Sequence, residues 1–189
     1  MNILLHVCCG VCAGGVAERL LSEGHTVTGY FFNPNIHPSE EWETRLQVAE
    51  AIASYIGFPL ETSEYNPEDW LTKTVGLEKE PEGGKRCEVC YRIRLTETYR
   101  FMQEHGFDAF TTTLTVSPHK PAAIVNRVGT GTGGDRFLAR DFKKQDGFKR
   151  TTEIARTLGV YRQHYCGCVY SMNSSQQSVI NSQQQRPNP

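Results

Sequence analysis

The stretch NILLHVCCGVCAGG, residues 2–15, decides how this chain folds. Its apolar run from Ile3 to Val7 is typical of a short buried strand, and an apolar helix of small residues is predicted from Ala13 to Leu21. The turn between strand and helix holds three cysteines: Cys8, Cys9 and Cys12. Ligands of open α/β sheets bind at this carboxyl end of the strands. The stretch therefore predicts a site built on sulfur chemistry.

The rest of the chain alternates between strand and helix patterns, which predicts one α/β domain with about five parallel strands and helices on both faces. The predicted strands are residues 3–7, 26–32, 59–62, 108–114 and 136–139. The predicted helices are residues 13–21, 40–55 with Ser39 as N-cap, 87–105, a short helix ending near Val128, and 151–158. Residues 129–134 are predicted to form a flexible glycine turn. A disordered polar tail, residues 173–189, is expected after a domain of residues 1–172.

The seven cysteines point to metal or redox chemistry. The run from Ile3 to Val7 is too short for a signal peptide, and no apolar run approaches the roughly 20 residues that span a bilayer. We therefore expect a cytoplasmic protein without a membrane partner. Disulfide frameworks are uncommon in that compartment, and an odd number of cysteines argues against one.

The charge of the chain is unevenly distributed, although the formal net charge is only −1. Residues 37–82 contain eleven acidic and three basic residues, a net charge of −8. Residues 136–164 contain eight basic and three acidic residues, a net charge of +5. This asymmetry predicts either a basic face for an anionic partner or two solvated surfaces without a partner.

Cys87-x-x-Cys90 is the strongest single motif, because residues i and i+3 of a helix share one face and both sulfurs can meet one metal. Such a pair suits zinc, an iron–sulfur cluster or a thiol/disulfide couple. Two further thiols must complete a four-ligand site. The candidates are the cysteines after the first strand and the pair Cys166 and Cys168 near the end. One structural zinc would leave three cysteines unexplained, which favours a cluster together with a second site.

The segment Ser117-Pro118-His119-Lys120 follows a predicted strand, again at the carboxyl edge of the sheet. His119 and Lys120 suit phosphate contact or acid catalysis there. A plain strand-to-helix turn with Pro121 at the first helical position explains the segment equally well. Tyr91, next to Cys90, is interpreted either as a proton donor or as a packing residue.

Five motifs, in the same order along the chain, resemble the QueH family, the cobalamin-independent epoxyqueuosine reductases of tRNA modification. They are LHVCCG with Cys12, RCEVCYRIRL (86–95), SPHK (117–120), DFKK (141–144) and YCGCVYS (165–171). The resemblance implies an adenine nucleotide alpha hydrolase-like (HUP) fold, a three-layer α/β sandwich. It also implies reduction of the epoxide of epoxyqueuosine at the wobble position of tRNA, giving queuosine. The family carries a [4Fe–4S] cluster, and some members carry one additional iron ion.

Following this resemblance, we predict that the cluster ligands are Cys8, Cys9, Cys87 and Cys90. Cys166 and Cys168 are predicted as a redox pair or as ligands of a second iron, for which Cys12 is a further candidate. Adjacent residues of an extended strand point in opposite directions. If the chain does not turn at Cys8 and Cys9, one of them serves the second site, and Cys166 or Cys168 completes the cluster.

The chemistry of individual side chains suggests the remaining site residues. A basic loop interleaved with aromatic residues, from Phe142 to Arg150, suits the phosphates and splayed bases of an anticodon loop. His119 and Tyr91 are the candidate proton donors. The predicted tRNA contacts are Lys120, Lys143, Lys144, Lys149 and Arg150. An electron donor is required, and the sequence does not identify it. Two other interpretations stay open: an iron–sulfur-dependent tRNA sulfurtransferase, and a zinc-stabilised RNA-binding module without catalysis.

Overall fold

The computed structural model describes residues 1–172, and the predicted tail, residues 173–189, lies outside the described residues. The strands within that range are Asn2–His6 (β1), Thr26–Phe31 (β2), Leu60–Thr62 (β3) and Ala109–Thr112 (β4). The α-helices are Gly10–Ser22 (α1), Ser39–Ile56 (α2), Glu68–Lys73 (α3), Lys85–Glu104 (α4), Ala122–Gly133 (α5) and Gly147–Thr157 (α6). Short 3-10 turns cover Thr113–Val116, Gly134–Arg136 and Val169–Ser171. None of the helices in residues 1–172 combines the length and apolar character needed to cross a membrane.

The four strands form one parallel sheet in the order β3-β2-β1-β4. Strand β1 lies between β2 and β4, with Leu4 opposite both Thr28 and Phe110. Consecutive residues of a strand point to opposite faces, and Ile3 and Leu5 are as fully buried as Leu4. Both faces of the sheet are therefore covered, which is why β1 reads as a continuous apolar run.

Two groups of helices cover the sheet. Helix α1 packs against α2 and α6, whereas α4 packs against α5 and against strands β1 and β4. Gly10 starts α1 in close contact with α2, because a Cβ atom there would lie 2.5 Å from the backbone nitrogen of Ala49. The predicted α/β architecture with a parallel sheet is confirmed.

The predicted fifth strand at residues 136–139 is wrong. Phe137 makes a single parallel bridge to Phe110, and the residues before it form a 3-10 turn. The predicted strand at 108–114 also ends early, at Thr112. The Thr112 side chain accepts a hydrogen bond from the backbone N–H of Leu114 and so starts a 3-10 turn. Threonine hydroxyls bond readily to nearby backbone groups, and here that local bond replaces a continued ladder.

The glycine-rich segment 129–134 is not the predicted flexible turn, since Gly129–Gly133 complete helix α5. Side chains at these positions would collide with aromatic rings. A Cβ atom would lie 2.3 Å from the Phe137 ring at Gly129 and 2.3 Å from the Phe110 ring at Gly133. The glycines therefore allow close packing rather than flexibility. The predicted N-cap is also corrected, because Pro38 is the N-cap and Ser39 is already the first residue of α2.

Candidate metal centre and substrate cavity

Three cysteines meet at the carboxyl end of β1. Cys8 and Cys9 lie between β1 and α1, and Cys12 lies in the first turn of α1. Their Sγ atoms lie within 4.8 Å of one another, and all three side chains are buried. The backbone N–H of Cys8 donates to the hydroxyl of Thr113, 2.9 Å away, which fixes the turn to the end of β4. Thiolates that share one tetrahedral ion stand about 3.8 Å apart, so this group fits a single metal ion with little movement.

Hydrogen bonds among the three thiols shift their pKa values. The pKa of Cys8 is lowered because the thiols of Cys12 and Cys9 form hydrogen bonds to its sulfur. The pKa of Cys12 is raised by its hydrogen bonds to Cys8 and Cys9. The amide nitrogen of Gln163 donates to the Sγ of Cys9 over 2.9 Å. The group thus favours a thiolate at Cys8, which is the form that binds metal.

The other four cysteines line a second, smaller cavity: Cys87, Cys90, Cys166 and Cys168. Cys87 and Cys90 lie in the first two turns of α4, and Cys166 and Cys168 flank Gly167 just before the last 3-10 turn. The pKa of Cys166 is lowered to about 5, mainly by a hydrogen bond from the Cys168 thiol. All seven cysteines are free. Four thiolates are the number and type of donor that a [4Fe–4S] cluster requires.

The thiols therefore divide differently from the predicted ligand set. Cys8 and Cys9 group with Cys12, and not with Cys87 and Cys90. The physical reason is that α1 begins at Gly10, so the chain turns directly after Cys9 and brings Cys12 beside it. The sequence held a signal for this grouping, because Cys9-x-x-Cys12 repeats the spacing of Cys87-x-x-Cys90.

Arg45 of α2 holds the turn that carries Cys166 and Cys168. The arginine is 2% exposed, and its guanidinium donates to the carbonyl oxygens of Cys166 and Tyr165 over 3.1 Å each. It also pairs with Glu41 at 2.7 Å and lies over the Tyr165 ring. The backbone N–H of His37 donates to the carbonyl oxygen of Gly167. The turn is thus fixed to α2 and to the segment before it.

Replacing Arg45 with methionine is expected to free this turn. Breaking a buried ion pair costs about 3 kcal/mol of unfolding free energy, and the Cys166 and Cys168 thiols would lose their fixed positions. We expect reduced incorporation of iron and labile sulfide on anaerobic reconstitution, measured per folded chain. Arg100→Met is the matched control, since Arg100 forms ion pairs on the exposed surface of α4. Equal iron and sulfide contents in both variants would contradict the role of Arg45.

Two cations lie between the thiol groups. Arg94 is 3% exposed, and its Nη1 lies 4.0 Å from the Sγ of Cys90. Its Nη2 donates to the Oδ1 of Asn33 over 2.6 Å, and the amide nitrogen of Asn33 donates to the carbonyl oxygen of Val7 over 2.9 Å. Lys120 lies beside the same thiols. Burial alone would lower the pKa of Lys120, but the negative charges of Cys8, Cys12 and Cys166 raise it.

The surroundings of Arg94 and Lys120 indicate that the site suits an anionic metal cofactor. Within residues 1–172, neither Arg94 nor Lys120 has a carboxylate at ion-pair distance. A buried positive charge requires compensation, and thiolates that bind metal supply it. The buried indole nitrogen of Trp70, packed with Cys90, has no hydrogen-bond partner among these residues. Donors without acceptors suit the sulfur atoms of an iron–sulfur cluster.

A cavity of about 360 Å³ opens above the three-cysteine group. Its floor includes Cys8, Cys9, Cys12 and Cys166. Lys120 and Arg94 line both this cavity and the smaller one. His119, Phe148 and Arg162 also line it and are solvent-exposed, so they mark its mouth. A cavity of this size can admit a small organic group such as a modified nucleobase.

The structure separates the predicted proton donors. His119 is exposed at the mouth of the larger cavity, next to Lys120. Tyr91 is buried and lines only the smaller, four-cysteine cavity. Burial, followed by the charges of Cys87 and Cys90, raises the pKa of Tyr91. Tyr91 therefore stays protonated, but at the second cavity and not at the first.

The predicted tRNA contacts also fall into different environments. Lys143 donates to the carbonyl oxygens of Thr115 and Lys120, so it fixes the chain locally. Arg150 forms a two-bond ion pair with Glu18 at 2.6 and 2.7 Å. Lys144 and Lys149 are exposed and have no ion pair among residues 1–172. The predicted basic loop is partly helical, because Gly147–Arg150 form the first turn of α6.

Sequence reasoning missed Arg45, Asn33, Gln163 and Trp70 as residues of the site. It also gave no role to Arg94, although a signal was present. Arg94 follows Cys90 by four residues in one helix, so it shares the face that carries the thiols. Arg45 and Gln163 carry no such signal, because tertiary packing alone brings them to the cysteines.

The chain is similar to known proteins over most of its length. A family model described as epoxyqueuosine reductase QueH matches residues 3–174. The epoxyqueuosine reductase QueH of Streptococcus pyogenes serotype M1 is 38% identical over 179 residues, which cover 90% of this chain and 70% of that protein. The QueH of Thermotoga maritima is 32% identical over 180 residues, which cover 90% of each chain.

Two solved structures share the fold. The U34-tRNA thiolase NcsA from Methanococcus maripaludis, with its [4Fe-4S] cluster, has a TM-score of 0.56 and 16% identity, covering 96% of this chain and 65% of the thiolase chain. This chain thus spans just under two thirds of the thiolase. NMN synthetase from Francisella tularensis has a TM-score of 0.53 and 11% identity, covering 100% of this chain and 79% of the synthetase. The predicted HUP-like α/β fold is confirmed.

Proposed function

The chain belongs to the epoxyqueuosine reductase QueH family, and from that premise we propose that it reduces the epoxide of epoxyqueuosine at the wobble position of tRNA. The product is queuosine, and the reaction is the last step of queuosine biosynthesis. The protein is an oxidoreductase. The observation that carries the proposal is the presence of two adjacent groups of free thiols: three cysteines in the floor of a base-sized cavity and four around a smaller cavity, with Cys166 lining both.

We assign the four thiols Cys87, Cys90, Cys166 and Cys168 to a [4Fe–4S] cluster. This assignment replaces the predicted set, because the four line one cavity with unpartnered N–H groups around it. We assign Cys8, Cys9 and Cys12 to a single metal ion, the additional iron, because their sulfurs lie close enough to share one ion.

Removing the epoxide oxygen as water consumes two electrons and two protons and leaves a carbon–carbon double bond. When bound, the cluster supplies electrons one at a time, and the additional ion supplies Lewis acidity toward the epoxide oxygen. The protein contributes fixed charge, since Lys120 presents an ammonium group to the cavity beside the three thiols. Such a charge stabilises an oxygen that becomes negative as its bond to carbon breaks. His119, at the mouth, is the proposed proton donor.

The proposed RNA surface lies around the cavity mouth. Lys144 and Lys149, which are not paired within the described chain, suit phosphate groups of an anticodon loop. Lys120 lies inside the cavity, so we assign it to the reacting group and not to the RNA backbone. We also propose a cytoplasmic location, where a tRNA substrate is available.

The direct test is an anaerobic assay with the reconstituted protein, dithionite as reductant and tRNA that carries epoxyqueuosine. Nucleosides from the digested tRNA are separated and identified by mass spectrometry. We expect epoxyqueuosine to be converted into queuosine. Protein that contains iron and sulfide but leaves epoxyqueuosine unchanged would contradict the proposal. A sulfur-containing nucleoside in the same digest would point to sulfur transfer instead.

A further inference from the structure

The mouth of the larger cavity carries one exposed phenyl ring among residues 1–172, that of Phe148. This residue is the second of helix α6, and its side chain is 42% exposed. Five large apolar side chains are exposed within residues 1–172, and Phe148 alone among them lines this cavity. Phe142, at the other end of the predicted basic loop (residues 142–150), is buried in the core. The segment thus buries one ring and presents the other at the cavity mouth.

Phe148 has no aromatic or cationic partner among the described residues. Lys149, the next residue, is exposed and unpaired within residues 1–172. Arg162 also lines the mouth, and its side chain has no hydrogen bond or ion pair in that part of the chain. By contrast, Arg150 is bound by Glu18. A free aromatic face therefore stands beside cations that are available to a ligand.

The position of the thiols explains what the ring would contact. They form the floor of the cavity, so a modified base must leave its stack and enter to reach them. The neighbouring base then loses its stacking partner and stays at the mouth, where aromatic side chains commonly stack on splayed bases. Cations beside an aromatic ring suit the phosphates that join the two nucleotides.

We propose that Phe148 is a stacking platform for the nucleobase next to the modified one, and that Arg162 contacts the adjoining phosphate. This inference rests on the proposed function and names the residue that positions its RNA substrate. Other occupants of the mouth, such as a protein electron donor or a second copy of this chain, would need the apolar character of the ring but not its π face. A leucine at position 148 would therefore bind such protein partners as well as phenylalanine does.

The test uses a synthetic anticodon stem-loop with 2-aminopurine on the 3′ side of the wobble position, titrated into the anaerobic holoenzyme. Stacking on an aromatic ring quenches the fluorescence of 2-aminopurine. We expect quenching with the wild type and with Phe148→Trp. With Phe148→Leu we expect the loss of quenching and a dissociation constant about 5- to 100-fold higher. For full-length tRNA, the KM of this variant should rise more than its kcat falls.

Tyr55→Leu is the control, because Tyr55 is an exposed aromatic residue that does not line the cavity, and it should behave like the wild type. If Phe148→Leu binds and quenches like the wild type while queuosine is still formed, the platform is refuted and the reductase function stands. If the wild type neither binds the stem-loop nor forms queuosine, both proposals fail together.

Discussion

Cys168→Ser is expected to abolish the iron–sulfur cluster, whereas Cys8→Ser is expected to retain it. Cys168 lines only the four-cysteine cavity, and Cys8 belongs to the three-thiol group beside it. After anaerobic reconstitution, the Cys8 variant should keep about four labile sulfides per chain and the Cys168 variant almost none. Both variants should lose queuosine formation, since each removes a ligand of one of the two proposed centres.

This pair of variants separates the two possible ligand sets. The set predicted from the sequence contains Cys8 and excludes Cys168, and the set assigned from the structure does the opposite. Cys87→Ser is the common control, because Cys87 belongs to both sets and its loss should remove the sulfide in either case. Loss of sulfide in Cys8→Ser together with its retention in Cys168→Ser would restore the sequence-based set. Circular dichroism of each variant confirms that the chain has folded.

Arg94→Met is expected to shift the cluster to a more negative midpoint potential and to reduce activity strongly. The guanidinium of Arg94 is a buried positive charge near Cys90 without a carboxylate partner in residues 1–172. Removing it disfavours the addition of an electron to the cluster nearby. A unit charge at this range corresponds to a shift on the order of 50–100 mV. The potential is measured by redox titration followed by electron paramagnetic resonance.

Two variants of the same helix complete this experiment. Arg92→Met is the matched control, because Arg92 is exposed on α4 and pairs with Glu88. It should leave the potential near that of the wild type. Arg94→Lys keeps a positive charge but loses the planar donor to Asn33, so it should restore part of the potential. An unchanged potential in Arg94→Met, with the cluster fully loaded, would show that the charge is too well screened to matter.

The sequence predicted the centre of the fold correctly because that part depends on local patterns. The apolar run of β1 and the small residues of α1 indicate a buried strand followed by a packed helix, and both exist. The predictions for the ends of β4 and α5 are less accurate. The sequence predicts a strand that continues beyond Thr112 and a turn at the glycine-rich segment 129–134. In the structure the strand ends at Thr112, and the glycines allow Phe110 and Phe137 to pack on α5. Those outcomes depend on side chains that are distant in sequence.

The sequence by itself determined that three cysteines stand at the carboxyl end of the first strand, that two more lie on a helix, and that two others lie late in the chain. Only the tertiary structure decided which of them share a site. The turn at Gly10 directs Cys8 and Cys9 toward Cys12, and Arg45 holds the turn of Cys166 and Cys168, which lines one cavity with Cys87 and Cys90. The physical reason is that grouping depends on chain direction and long-range contacts, whereas spacing reports only on residues within one element.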